Sequence, residues 1–140
     1  MAERTPTGQN ARVLANAELA AFLPTRDLDR TRVFFTETLG LSIIENTSFA
    51  CVFDAHGTTV RVALVEELRP APYTVLGWIV SDLSAAVRGL AARGVFFERF
   101  PTMDQDELDI WTTPGGDRVA WFKDPEGNVL SLTQVARVAT

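Results

Sequence analysis

Residues 21–41 read AFLPTRDLDRTRVFFTETLGL, and residues 76–95 read LGWIVSDLSAAVRGLAARGV. Both stretches have the same grammar. A short apolar run leads to an Asp-Leu pair (Asp27-Leu28, Asp82-Leu83), then an amphipathic segment, then a glycine (Gly40, Gly94) and a new apolar run. A second pair of echoes follows in the same order: FDAHGTTVRVAL at residues 53–64 and KDPEGNVLSLTQ at residues 123–134, each a tight turn feeding an outgoing strand. Repetition inside one chain implies two similar units that bury their faces against each other.

Working outward, residues 20–25 are predicted as a strand, and Asp27 as a helix cap whose carboxylate accepts a backbone N–H. Leu28, Thr31, Phe35 and Leu39 recur at helical spacing and form the buried stripe, which Gly40 closes as a left-handed cap. Strands are predicted at residues 41–45, 48–53 and 59–66, the last two joined by Asp54-Ala55-His56-Gly57. The second half repeats the order. It has a strand at 75–80, the Asp82 cap, a stripe of Leu83, Val87 and Leu90 ended by Gly94, and strands at 95–99, 108–113, 119–123 and 128–134. Each half is therefore βαβββ. Strands joined by tight turns pair antiparallel, and the helix crossover covers one face of the sheet. The expected fold is α+β, two βαβββ modules forming a concave, mostly antiparallel sheet with helices on the outside. The boundaries expected are a leader at 1–17, modules at 18–67 and 73–135 joined by a linker at 68–72, and a tail at 136–140, all in one compact domain. Two halves side by side would enclose a shared cavity.

Composition bounds the function. The 140 residues are 46% hydrophobic and 22% charged, with a net charge of −5, ordinary values for a globular chain able to bury a core. No basic run stands out, which excludes a nucleic-acid surface. No apolar stretch has spanning length and the first residues lack a signal-peptide core, so neither membrane association nor export is expected and the location expected is cytoplasmic. Cys51 is the single cysteine, which leaves no internal disulfide and no Cys-rich zinc site.

The residues resemble the vicinal oxygen chelate superfamily, which includes glyoxalase I, extradiol dioxygenases, fosfomycin-resistance proteins and bleomycin-binding proteins. The likeness rests on Asp27-Leu28-Asp29-Arg30 with Phe34-Phe35 and Leu39-Gly40-Leu41, on Asp82-Leu83 and Arg93-Gly94-Val95, and on WFKDPEGNVL at residues 121–130; it runs from about residue 19 to 134. The resemblance implies metal ligands seven residues before each capping Asp, which are here Ala20 and Val75, and seven after the turn Asp, here Arg61 and Ser131. Ala and Val have no donor atom, Arg is a permanent cation, and a lone hydroxyl is a poor ligand. No metal and no cofactor is expected.

Alternation places Ser131 and Thr133 with Arg61 on the face opposite the helices, together with Ala20, Phe22, Pro24, Val75, Gly77 and Ile79. Two readings of Arg61 stand: a cation for a ligand carboxylate or phosphate, or a side chain that pairs with Glu45 or Glu66 or snorkels to solvent. Phe22, Phe49, Trp111 and Trp121 are candidate walls of an aromatic pocket, or ordinary core. Trp78 is expected to pack under a helix. The acidic run Asp104-Gln105-Asp106-Glu107 with Asp109 is expected to be a solvated loop, with Glu107 and Asp109 as candidate site residues sharing a strand face with Trp111. His56, the only histidine, is read as a turn residue and Cys51 as buried packing. No catalytic residue is assigned.

The function expected is metal-independent binding of a small organic molecule, anionic or aromatic, in the concave cavity. The resemblance also implies a homodimer with its cavities near the subunit contact. The competing reading is a lyase or isomerase using displaced ligands (Glu45, Glu66, Glu107, Asp109) or metal-free acid–base chemistry. A third is a dimeric scaffold whose cavity is filled by its own side chains.

Overall fold

A computed structural model describes residues 13–137; parts of the expected leader and tail (1–12 and 138–140) lie outside the described residues. The chain builds β1 (Ala20–Thr25), α1 (Leu28–Val33), which runs on into a wider π-helical turn (Phe34–Thr38), β2 (Ser42–Asn46), β3 (Ala50–Ala55) and β4 (Thr58–Leu64). The second half builds β5 (Thr74–Ile79), α2 (Leu83–Ala92), β6 (Trp111–Thr112), β7 (Arg118–Lys123) and β8 (Val129–Gln134). Both helices start on the expected caps: Asp27 accepts from the Arg30 N–H at 3.0 Å and Asp82 from the Ala85 N–H at 3.1 Å. The π-helical turn was not expected. Its Thr36 hydroxyl donates to the Arg32 carbonyl at 2.8 Å, competing with the backbone ladder as such back-bonds do, and Leu39 N–H bonds Phe34 O five residues back.

The strands form two four-stranded mixed sheets, ordered β1-β4-β3-β2 and β5-β8-β7-β6. In each, the outer pair (β1/β4, β5/β8) is parallel and the others antiparallel. The expected α+β fold of two βαβββ modules is found, its strands hydrogen-bonded as one four-stranded sheet per module, each carrying its helix on one face. The second module is also the less regular. Residues 95–99 make only a single bridge, Phe97 to Phe122, and the strand expected over 108–113 shrinks to Trp111–Thr112. The reason is local: Asp106 accepts from the Leu108 and Ile110 N–H groups and turns the chain there.

One core spans both modules. Leu23, Phe35, Phe53 and Val62 from the first join Leu83, Ile110, Phe122 and Leu130 from the second. The modules meet on their helix-bearing sides. Phe34 of the π-helical turn reaches Phe122 at 6.5 Å, and Arg93 at the end of α2 donates to the Glu37 carbonyl at 2.6 Å. Across the same junction Glu126 accepts from the Thr25 hydroxyl at 2.9 Å, the Arg26 N–H, and the Arg30 guanidinium at 2.7 Å. The other face of each sheet is left open. Phe22 and Ile79, expected to line an enclosed cavity, are 66% and 77% exposed. No helix of the described residues is long and apolar enough to cross a membrane.

Candidate functional site

The open face of the first sheet is set by strand register. Glu45 pairs with Val52, Val52 with Arg61, and Arg61 with Phe22, so these four side chains form one transverse row. Arg61 and Glu45 approach to 3.9 Å with both side chains about half exposed. Beneath them Val52 is buried, because the aliphatic stem of an arginine covers apolar surface while its head stays wet. The ion pair anticipated for Arg61 thus exists with Glu45. It is loose and wet, so it leaves guanidinium donors unused.

The corresponding row of the second sheet is Gly77, Ser131 and Trp121. Gly77 has a specific use here: a Cβ at that position would sit 2.5 Å from the Ser131 hydroxyl. The glycine leaves the notch in which that hydroxyl lies. Trp121 donates from its indole to the Thr74 hydroxyl at 3.1 Å. Its ring meets Trp111 at 6.2 Å and, edge to face, Phe100 at 5.4 Å. Trp111, Trp121 and Phe100 make an aromatic cluster whose members are all only partly buried.

The remaining candidates fall elsewhere. Phe49 sits in the turn before β3, where the Thr47 hydroxyl accepts its N–H, and its ring is 75% exposed. Asp109 does not share a strand face with Trp111. It precedes β6 in a left-handed conformation (φ 64°), and its carboxylate is 2.7 Å from Arg99. Glu107 is exposed on the same loop. The acidic run is more organised than a solvated loop. Buried Gln105 donates to the Glu98 and Asp109 carbonyls at 2.9 and 2.8 Å and accepts from the Phe100 N–H at 2.7 Å. His56 occupies the exposed two-residue turn with φ 52°, and Cys51 is fully buried with its thiol 3.2 Å from Asn46. Trp78 packs against the core.

Sequence reasoning passed over Phe100, Gln105, Glu126 and the role of Gly77. Gly77 had a visible signal, since the repeat aligns it with Phe22. The others act over separations that no local pattern reports.

The family's ligand positions come to the open faces. Ala20 is two residues along β1 from Phe22 and pairs with Thr59, two residues from Arg61, while Val75 lies in the register shift between Thr74 and Leu76 and is exposed. Two alkyl groups, a guanidinium and a hydroxyl do not fit a divalent metal, which needs several His, Glu or Asp groups converging. Among the described residues no three His, Cys, Asp or Glu side chains converge to hold one; Glu45, Glu66, Glu107 and Asp109 stay apart.

A profile of the Glyoxalase/Bleomycin resistance protein/Dioxygenase superfamily matches residues 17–132. The chain belongs to that superfamily. Solved structures with the superfamily fold agree. A glyoxalase family protein from Bacillus anthracis superposes with a TM-score of 0.69 at 14% identity, covering 86% of this chain and 96% of its own. A glyoxalase/bleomycin resistance protein/dioxygenase from Alicyclobacillus acidocaldarius gives 0.68 at 19% identity, over 87% and 93%. A lactoylglutathione lyase from Agrobacterium tumefaciens gives 0.66 at 14% identity, over 85% and 93%. At these identities the superfamily likeness carries the fold, and no curated protein matches the sequence.

Proposed function

We propose that this superfamily member binds a small organic molecule on its open sheet faces without a metal, and that a second copy of the chain completes the site. The observation that carries the reading is the chemistry at the ligand positions. Donors are missing where the superfamily's metal-dependent members hold an ion, while the surrounding face displays a cation (Arg61), a hydroxyl (Ser131) and aromatic rings (Phe22, Trp111, Trp121). Apolar walls with a few polar anchors are the usual make-up of a small-molecule site. An anionic or aromatic ligand suits that set: the guanidinium offers two parallel hydrogen bonds to a carboxylate or phosphate, and the rings offer stacking surface.

The homodimer is supported by exposure. Phe22, Ile44, Val75 and Ile79 are between 40% and 77% exposed on strands, and apolar residues grouped on an open face suit a protein–protein contact. The lyase or isomerase reading has no observation of its own, since its carboxylates do not converge.

The test is elemental analysis of protein purified without chelator or affinity tag, with native mass spectrometry and calorimetric titration of an anionic and aromatic metabolite panel. Expected are metal-free protein, a dimer mass, and saturable binding that Arg61→Ala weakens about tenfold. A stoichiometric metal, or no saturable binding across the panel, overturns the reading.

A further inference from the structure

The geometry points to a second binding site, distinct from the open faces, for a small hydrophobic carboxylate. It is a cavity of about 420 Å³ on the helix-bearing side, where the end of the π-helical turn meets α2 and β5. That volume lies within the roughly 300–1,000 Å³ of ordinary small-molecule sites. Its walls are Leu39, Trp78, Leu90, Phe122 and Leu132, an apolar and partly aromatic lining, and it touches the open face only through Ile79 at the end of β5.

Two features of α2 separate this cavity from a packing defect. Ala86, Gly89, Leu90 and Arg93 all line it, at the spacing that puts residues on one helix face. That face lies beside the buried stripe of Leu83 and Val87. Gly89 stands within the helix, where glycine is unfavourable. Its own chain does not require it: a Cβ there would meet nothing within 4 Å. Gly89 is exposed where it lines the cavity, so its missing side chain leaves the cavity mouth clear. The second feature is the cation at the rim. The Arg93 guanidinium is pinned by its 2.6 Å bond to the Glu37 carbonyl, and no described carboxylate pairs with it. A guanidinium has five donors, so four remain for an anion, already held in place. An apolar body against Trp78 and Phe122 with a carboxylate on Arg93 satisfies both ends.

The experiment is a titration of full-length protein with 2-naphthoate, followed by amide and indole N–H resonances. Expected is a saturable movement of the Trp78 indole and the Gly89 amide, while the Trp111 and Trp121 indoles stay still. Gly89→Leu, which places a side chain over the cavity mouth, abolishes the response; Gly89→Ala confirms that the helix tolerates a side chain there. Arg93→Gln weakens naphthoate roughly tenfold, the loss of one charge-assisted contact, and leaves uncharged 2-naphthol unchanged. The inference is overturned if no resonance saturates, if affinity survives Gly89→Leu, if Arg93→Gln affects naphthoate and naphthol alike, or if only the Trp111 and Trp121 indoles move. That last pattern would place naphthoate on the open face and support the proposed function instead, so the two readings fail separately.

Discussion

The two modules share an order of elements and nearly a backbone, yet the same turn does opposite jobs in them. In the first, Asp54 accepts from the Gly57 N–H at 3.0 Å in a two-residue turn whose His56 and Gly57 both have positive φ, 52° and 91°. Asp54 and both turn residues are exposed. In the second, five residues separate the paired strands and the equivalent Asp124 is 5% exposed. It accepts from the Glu126 and Asn128 N–H groups and the Asn128 side-chain amide, all at 2.9 Å. Asn128 in turn donates to the Pro24 carbonyl of the first module at 3.2 Å. A repeated motif is thus a free hairpin in one copy and the junction of the molecule in the other. What decides is the neighbour each turn faces, water or the partner module.

The largest effect expected from this contrast is at the two aspartates. Asp124→Ala strands three donors in a buried turn and should cost about 2–4 kcal/mol. Asp54→Ala loses one bond in an exposed turn and should cost about 0.5–1 kcal/mol. Urea unfolding of both variants measures the difference; equal losses would mean that the second turn is no more structural than the first.

Much of this architecture was legible from residues 21–41 and 76–95 alone. Asp27 and Asp82 cap their helices because a carboxylate ahead of an apolar stripe satisfies an orphan N–H, a rule local enough to read directly. Alternation likewise put Phe22 and Arg61 on the face opposite the helix, where they pair in register. What stayed hidden depends on distance. The bonds of Glu126 to Thr25 and Arg26 span about a hundred residues, and periodicity does not say by which face two repeats will meet. That is why an enclosed cavity was expected where open faces are found. The shrinkage of β6 was equally unreadable, since it follows from Asp106 and buried Gln105 taking backbone partners that a strand would otherwise use. At the candidate site, Arg61 and Ser131 were locatable by counting from the turns. The cluster of Trp121 with Phe100 was not, because Phe100 lies in a loop without a period.

A sharper test concerns the rows themselves. In the first sheet the residue opposite Arg61 is Phe22, and in the second the residue opposite Ser131 is Gly77. Gly77→Ala places a methyl 2.5 Å from the Ser131 hydroxyl and should destabilise by about 1–2 kcal/mol, an overpacking effect. Combining it with Ser131→Ala should recover most of that loss. Thermal unfolding of the single and double variants checks this; an additive result would mean that the notch has another cause.

The junction also makes the second turn answer to pH. Burial alone would raise the Glu126 carboxyl, but the Arg26 N–H, the Thr25 hydroxyl and Arg30 outweigh it and hold the group below its ordinary value of 4.5. A carboxyl depressed on folding contributes stability that is present above its unfolded value and lost as pH falls through its folded one. Asp124 runs the other way, since burial raises its carboxyl and protonation there favours the folded state. Glu126→Gln should therefore cost about 1 kcal/mol at pH 7 and flatten the loss of stability below pH 4.5. Denaturation midpoints between pH 7 and 3 read both effects; a variant with an unchanged acid limb would remove Glu126 as its source.

The smallest expected effect on stability falls on the residue most interesting for binding. Arg61 lies 3.9 Å from Glu45 with both side chains about half in water, and exposed pairs of this kind contribute about 0–1 kcal/mol. Arg61→Lys keeps the charge and the stem over Val52, so the unfolding midpoint should barely move. It removes the planar fork that grips a carboxylate through two bonds. If the open face recognises an anion, the variant should bind it several-fold more weakly while folding as before. Loss of stability without loss of binding would make Arg61 a cover for Val52 rather than a ligand anchor. The comparison with Ser131 would then mean only that one sheet needs a lid over its valine and the other does not.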